Sequence, residues 1–279
     1  MRRFAGLANA TIRTAGTYLN LHGVEQNCEN VVLSIITVSF NDLSRLQETI
    51  SSLENSDSRV EHVLVVPLKD LKTRDWLGSV LSVSGSKRPV IFDEGLGIYE
   101  AMNLGVARAS GKYVCFWNSG DKLFDTGNFQ ELINALDNSS EPWFLCESNL
   151  EWASKTDYNS TCMLQFLLGV PKSFISHQAV VINRLILEEI GVFNLKYRVA
   201  ADTELLMRCN NKFGEPRLFG KVVVDVQTPQ YASNNNRRSR YEVFKISLLR
   251  LQGNQKLIAF FNLLRREIMD FLQKSSVIR

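Results

Sequence analysis

The chain has 279 residues, 45% of them hydrophobic, which is enough for one large α/β domain or two small ones and too apolar for a disordered protein. Its net charge of +3 is unevenly spread: residues 236–279 carry ten Lys/Arg against three Asp/Glu, a net of +7, so the preceding 235 residues sum to −4. Apart from the ends no basic–aromatic groove pattern occurs, which argues against nucleic acid as a partner, and the apolar runs stop well short of the ~20 residues of a membrane-spanning helix.

Residues 1–24 hold three arginines and no acids, and read as a weak amphipathic helix. Arg2 and Arg3 lead into an Ala/Thr/Gly-rich segment rather than an apolar core, so no secretory leader is expected. The near-continuous apolar run at residues 31–40 predicts a central parallel strand. Asn41 and Asp42 can cap the following helix, residues 43–53, in which Leu43, Leu46, Ile50 and Leu53 recur at helical spacing. A strand over 61–66 ends at Pro67, a charged segment follows with Trp76 and Leu77, and a short strand is expected at 90–92. The next helix, residues 98–109, has a face of Ile98, Ala101, Gly105 and Ala109 small enough for close approach to a sheet. Strand 113–117 runs directly into Asn118-Ser119-Gly120-Asp121. This alternation predicts a parallel sheet covered on both faces. Further on, strands are expected near 143–146 and at 179–182, and helices at 184–190 and 202–211. Residues 160–170 read as a short buried helix or loop. After a polar break at 233–239 comes a long helical tail, in one piece broken near Gly253-Asn254 or in two, with Phe244, Leu248, Leu251, Leu257, Phe260, Phe261, Leu264, Ile268 and Leu272 as its apolar stripe.

Five cysteines (Cys28, Cys115, Cys146, Cys162, Cys209) form no short metal spacing, and their odd number suits free thiols in a reducing cytoplasm. With three dispersed histidines, a zinc site is not expected. Asp121 stands beyond the carboxyl end of a strand, where ligands gather in parallel sheets, and could hold a hard divalent cation; the plainer alternative is a turn residue that caps the next element. Glu100 and Asn103 share a helix face that begins at Gly97, whose exposed N–H groups could receive an anion, although Glu in a first turn is favoured by the helix dipole alone. His177 is either a hydrogen-bonded loop residue or a phosphate or acceptor contact. Asp202 is either an N-terminal helix residue or, with Glu204 nearby, a base aimed at a ligand.

Five segments, taken in order, are residues 33–41 (LSIITVSFN), 97–105 (GIYEAMNLG), 116–121 (FWNSGD), 176–179 (SHQA) and 200–205 (AADTEL). Together they resemble a family 2 glycosyltransferase of the GT-A fold, in the branch that builds bacterial capsular polysaccharides and exopolysaccharides such as colanic acid. The resemblance implies an α/β protein, an αβα sandwich with a mostly parallel central sheet and a helical C-terminal extension. Residues 1–30 would be a basic N-terminal extension and 31–235 the catalytic domain, with a nucleotide-binding half to 121 and an acceptor half from 122. Residues 236–279 would be a basic amphipathic tail.

The resemblance also implies roles. Thr37, Ser39 and Asn41 would line the nucleotide pocket, with Asn118, Ser119 and His177 near the donor. Glu100 and Asn103 would flank the donor site, Asp121 would bind Mg²⁺ or Mn²⁺, and Asp202 would be the general base of an inverting transfer. The donor would be a UDP- or GDP-sugar, and the acceptor a glycan or a polyprenyl-diphosphate-linked saccharide. The tail would meet an anionic membrane surface, peripheral to the inner face of the cell membrane, or a second copy of the chain. Two positions depart from the family pattern. Pro67 replaces an aspartate that contacts the base, for which Asp70 is the expected substitute, and Gly95 replaces an acid for which Asp93 and Glu94 lie close. These departures motivate the alternative of a catalytically degenerate nucleotide-binding or scaffolding subunit.

Overall fold

The computed structural model describes residues 31–84, 88–150, 175–227, 236–251, 253–262 and 264–265. The expected helices at 1–24 and 160–170 lie outside these residues, as do Cys28, Cys162, Ile268 and Leu272.

The first half alternates as expected: β1 (Leu33–Val38), α1 (Leu43–Ser52), β2 (Val60–Pro67), α2 (Leu71–Ser84), β3 (Val90–Asp93), α3 (Ile98–Arg108) and β4 (Tyr113–Asn118). Then come β5 (Lys122–Leu123), α4 (Thr126–Asp137), β6 (Trp143–Leu150), a 3₁₀ turn at His177–Ala179, β7 (Val180–Asn183), α5 (Arg184–Ile190), α6 (Ala201–Phe213), β8 (Arg217–Val226) and α7 (Asn236–Arg250). The eight strands among the described residues form one sheet in the order β3-β2-β1-β4-β7-β6-β8-β5. The β3, β2, β1 and β4 strands run parallel, β7 is antiparallel to both β4 and β6, and β8 is parallel to β6.

Successive side chains of a strand point to opposite faces, and two apolar layers result. On one face Ile36, Val63, Val65, Val114 and Phe116 pack beneath α3, α5, α6 and α7. On the other, Leu33, Ile35, Tyr113 and Trp117 pack against α4, while Leu64 and Val66 meet α1 and α2. The molecule is therefore an αβα sandwich. Cys115, Cys146 and Cys209 are buried free thiols.

Three expectations are corrected. The charged segment at 71–84 is a helix. Only Thr73 and Leu77 of residues 71–80 are buried, so its apolar stripe is a single residue wide and gives little periodic signal. Helix α4 was not among the expected elements, although Phe129, Leu132, Ile133 and Leu136 show the plain helical spacing and Asp125 caps it by accepting from Asn128 N at 2.7 Å. Asp42 does occupy the N-cap position of α1, but its side chain makes no capping hydrogen bond. Instead it sits 3.7 Å from the Arg45 guanidinium, while Asn41 adopts φ +52°.

The tail breaks where expected, at Gly253 with φ +50°, before a helical stretch at 254–262. Of the expected apolar stripe only Leu251 is buried among the described residues. Glu242, Ile246, Ser247, Leu251 and Ala259 turn inward, whereas Leu257, Phe260, Phe261 and Leu264 are exposed.

The small face of α3 permits close contact with β1. A Cβ at Gly105 would stand 2.3 Å from Cγ2 of Ile36, a stiff β-branched side chain that is fully buried. Gly105→Ala should therefore lower stability by about 1–3 kcal/mol, the scale of overpacking, seen as an earlier urea midpoint. Gly78→Ala, with nothing within 4 Å of its added Cβ, should leave the midpoint unchanged or raise it.

Candidate active site

Four parallel strands end at one edge of the sheet, with Val38 level with both Val65 and Asn118, and Pro67 level with Asp93. At ~4.8 Å per strand spacing these ends span about 14 Å, a suitable width for a nucleoside diphosphate. Ser39, Pro67, Asp93 and the Asn118–Asp121 turn all stand along this edge.

The turn is tightly built. Asp121 N donates to Asn118 O at 3.1 Å, and Asp121 Oδ2 accepts from Asn118 N at 2.7 Å. Gly120 has φ +100° and donates its N–H to Thr49 Oγ1, so this backbone conformation favours glycine where another acid would be strained. Asp121 Oδ1 accepts from Gln227 N at 3.1 Å, across 106 residues of sequence. The side chain is 1% exposed. Burial pushes its carboxyl up to about 6, against the opposing pull of the Asn118 and Gln227 N–H groups, His177 and Gln178. Nearby, Asn118 Oδ1 and Ser39 Oγ are buried without a hydrogen-bond partner among the described residues.

Asp202 lies in the first turn of α6. Its Oδ1 accepts from Thr203 N at 2.7 Å and from Tyr99 OH at 3.2 Å, and its Oδ2 lies 3.4 Å from His177 Nδ1. His177 Nε2 is buried without a hydrogen-bond partner among the described residues. The one Tyr99 hydroxyl proton is shared between Asp202 Oδ1 and Val199 O, the latter at 2.8 Å, and burial together with the Asp202 charge raises the phenol well above its ordinary pKa, keeping it a donor. Glu204 is buried and its carboxylate pairs with Arg208, whose Nε it holds at 2.9 and 3.1 Å.

The remaining expected residues are placed as follows. Thr37 is fully buried with its hydroxyl on His62 Nε2 at 2.9 Å, inside the sheet layer rather than at its edge. Asn41 is exposed, and its N–H donates to Asp70 Oδ2 at 3.0 Å. That carboxylate also takes Thr73 N and Thr73 Oγ1, so Asp70 caps α2 and pins the β1–α1 loop. It is 5% exposed and fully engaged, which disfavours it as a substitute for the missing base contact. Ser119 Oγ donates to Val38 O. Asn103 forms a two-point pair with the backbone of Phe193, donating to its O and accepting from its N. Its amide thus fastens the segment before α6. Glu100 is half-buried in the first turn of α3. Gly95 has φ +74°, which explains the loss of an acid there, and its N–H donates to Asp93 Oδ2. Asp93 is buried beside Pro67 with Oδ1 lacking a hydrogen-bond partner among the described residues, and burial raises its carboxyl.

Sequence reasoning missed Tyr99 as a partner of Asp202, although it stands directly before Glu100 in the same motif. It also missed Phe40, which is 59% exposed at the end of β1 with Lys69 Nζ 5.4 Å from its ring centre.

No group of three or more His, Cys, Asp or Glu side chains is gathered to hold an ion among the described residues. The oxygens of Asp121 and Asn118 still suit a hard divalent cation of the kind that takes one or two carboxylates and completes its shell with phosphate and water. The edge thus carries two aspartates, Asp121 buried in the turn after β4 and Asp202 backed by His177 and Tyr99, at the carboxyl ends of parallel strands, where ligands gather in such sheets.

Residues 34–144 match the family described as Glycosyl transferase family 2. An uncharacterized glycosyltransferase of Mycobacterium tuberculosis is 30% identical over 185 residues, covering 63% of this chain and 68% of that relative. The chain belongs to glycosyl transferase family 2. A PGL/p-HBAD biosynthesis glycosyltransferase of Mycobacterium bovis is 30% identical over 138 residues, 47% of this chain and 49% of the relative. Among solved structures, Staphylococcus aureus TarS 1–349 aligns with TM-score 0.62 at 16% identity, covering 85% of this chain and 72% of that one. The mannosyltransferase PcManGT of Pyrobaculum calidifontis, in complex with GDP-Man and Mn²⁺, aligns at 0.59 and 13% identity over 89% and 80%. These likenesses establish a GT-A-like architecture and do not single out the colanic-acid branch.

Because Asp70 joins three donors from two loops, Asp70→Ala should cost about 2–3 kcal/mol through a lost cap and unpaired N–H groups. UDP and GDP binding should weaken alike. Loss of UDP binding alone, at unchanged stability, would return Asp70 to a base-contacting role.

Proposed function

We propose that the chain is an inverting glycosyltransferase that moves a sugar from a UDP- or GDP-sugar to a hydroxyl of a glycan or lipid-linked glycan in bacterial surface polysaccharide synthesis. The observation that carries this reading is Asp121, buried in the turn at the carboxyl end of β4, together with Asp202, whose carboxylate is held by Tyr99 and faces His177.

Asp202 is the general base. Tyr99 and the Thr203 N–H hold Oδ1, which leaves Oδ2, beside His177, to accept the acceptor's proton. The acceptor oxygen bonds to the anomeric carbon from the side opposite the diphosphate. The bond from that carbon to the diphosphate oxygen breaks, the electron pair leaves with the nucleotide, and the configuration inverts. Mg²⁺ or Mn²⁺, held by Asp121 with the Asn118 amide oxygen, would offset negative charge on the diphosphate when bound. Phe40 offers an exposed ring for the base. With proline at 67, Asp93 is the carboxylate closest in register to the base end of the edge.

The tail supports a peripheral position at the inner face of the membrane, next to a polyprenyl-diphosphate-linked acceptor. No helix among the described residues is long and apolar enough to cross a bilayer. Leu257, Ile258, Phe260, Phe261 and Leu264 are exposed beside Lys256 and Arg265. Each basic residue held near an anionic leaflet contributes roughly 1 kcal/mol.

The central test is a screen of UDP-, GDP-, dTDP- and CMP-sugars for transfer or hydrolysis with and without Mn²⁺. Asp202→Asn should lower turnover by ~10²-fold or more while donor binding stays nearly intact. Asp121→Asn should first weaken cation-dependent nucleotide binding. In the wild type that binding should fall as pH drops through about 6, where Asp121 takes up a proton, by roughly tenfold per unit below that point. Nucleotide binding with no turnover for any donor would favour the degenerate-subunit reading. For the tail, Phe260→Ser with Phe261→Ser should reduce co-sedimentation with anionic vesicles at low salt. Unchanged co-sedimentation would leave this face to a second copy of the chain.

A further inference from the structure

The segment entering α6 presents backbone N–H groups that its own sequence cannot receive. The N-cap residue is Ala200, which has no side-chain acceptor. The acceptor comes from the tail. Glu242 of α7 is 6% exposed, and its Oε2 takes Arg198 N at 3.0 Å, Val199 N at 2.9 Å and Ala200 N at 3.1 Å. Its Oε1 takes Arg198 N at 3.2 Å and Arg238 Nε at 3.0 Å. One carboxylate thus fixes three consecutive peptide units, and Asp202 follows two residues later. The same stretch is held from its other side, where Val199 O accepts from the Tyr99 hydroxyl that also reaches Asp202 Oδ1. Beneath these contacts Ile246 and Leu251 share a core with Ala200, Ala201 and Leu205, so α7 cannot shift without moving the start of α6.

We propose that Glu242 is a positioning residue for Asp202, and that docking of helix α7 on residues 198–200 sets whether the base is aligned for transfer. The inference rests on the reading of Asp202 as general base. Glu242 touches no reacting atom, and its influence passes through the backbone to Tyr99 and Asp202. Displacing a reacting group by about 1 Å can lower a rate ~10²-fold, and removing an acceptor shared by three N–H groups allows a shift of that size. Donor binding is built at the β1, β2 and β4 ends, on elements that Glu242 does not contact, so it should be spared.

The test uses the full chain in the sugar-transfer assay, with the best donor from the screen and Mn²⁺. Glu242→Gln keeps the size of the side chain but replaces one oxygen with an NH₂ group that faces N–H donors, and Glu242→Asp withdraws the intact charge by one methylene. Both should lower kcat, by about 10²-fold for Gln, with the donor KM and the nucleotide Kd within twofold of wild type. In an Asp202→Asn background the Gln substitution should cause little further loss, because the group it positions is already gone. Wild-type kcat in folded Glu242→Gln, beside an inactive Asp202→Asn enzyme, would overturn the positioning role. So would parallel losses in kcat and nucleotide affinity, which describe general damage to the fold. Full activity of Asp202→Asn would instead overturn the base assignment on which the inference rests. If Glu242→Gln does not fold, Glu242→Asp carries the same comparison.

Discussion

Loops that leave a parallel sheet at its carboxyl edge carry backbone N–H groups with no strand or helix to receive them, and here buried carboxylates receive them. Asp70 takes the N–H groups of Asn41 and Thr73, Asp93 takes that of Gly95, and Asp121 takes those of Asn118 and Gln227. Glu242 takes three in a row. An unpaired buried N–H costs roughly 1–3 kcal/mol, so each acid fixes a loop conformation that would otherwise be unfavourable. At the far edge Glu61 does the same for Ser110 and the Ser34 hydroxyl. The cleft owes its shape to this use of charge more than to side-chain packing.

These carboxylates are not equivalent electrostatically. At Glu242, burial opposes ionisation, but the Val199, Arg198 and Ala200 N–H groups together with Arg238 outweigh it and hold the carboxyl below its usual range. At Asp121 two N–H groups and a nearby histidine do not outweigh burial, and the carboxyl remains raised. The first is a settled structural anion. The second is an anion short of positive charge, the condition in which a cation is welcome. Asp93 shares that condition in milder form beside Pro67.

The sequence made the first half of the sheet legible because its strands are near-continuous apolar runs and α1 and α3 carry wide periodic faces. Helix α2 was obscured by its one-residue stripe, and β8 by exposed and half-buried positions from Arg217 to Val222. The motif residues were found at the correct edge, but their orientations were not readable. Asn103 and Glu204 sit in the motifs and turn toward Phe193 and Arg208, since those partners lie 90 and 4 residues away and only the folded backbone decides which contact forms. The tail showed the same difficulty. Leu251 of its apolar stripe is buried with Ile246 while Leu248, Leu257, Phe260 and Phe261 are exposed, and Glu242 of the same helix reaches inward to the N–H groups before α6.

The hydrogen bond from Gln227 to Asp121 has a consequence for how the molecule is assembled. Strands β1 to β4 can pair from residues 33–118, but the turn that follows is closed by a backbone group 106 positions later, after β8 has slotted between β6 and β5. Closing so long a loop is entropically slow and comes late in folding. A nascent chain or a truncated fragment can therefore hold a sheet of native topology while the Asp121 carboxylate is still unfastened. Competence would then arrive in one late step, when the last strand and the helix after it have both docked.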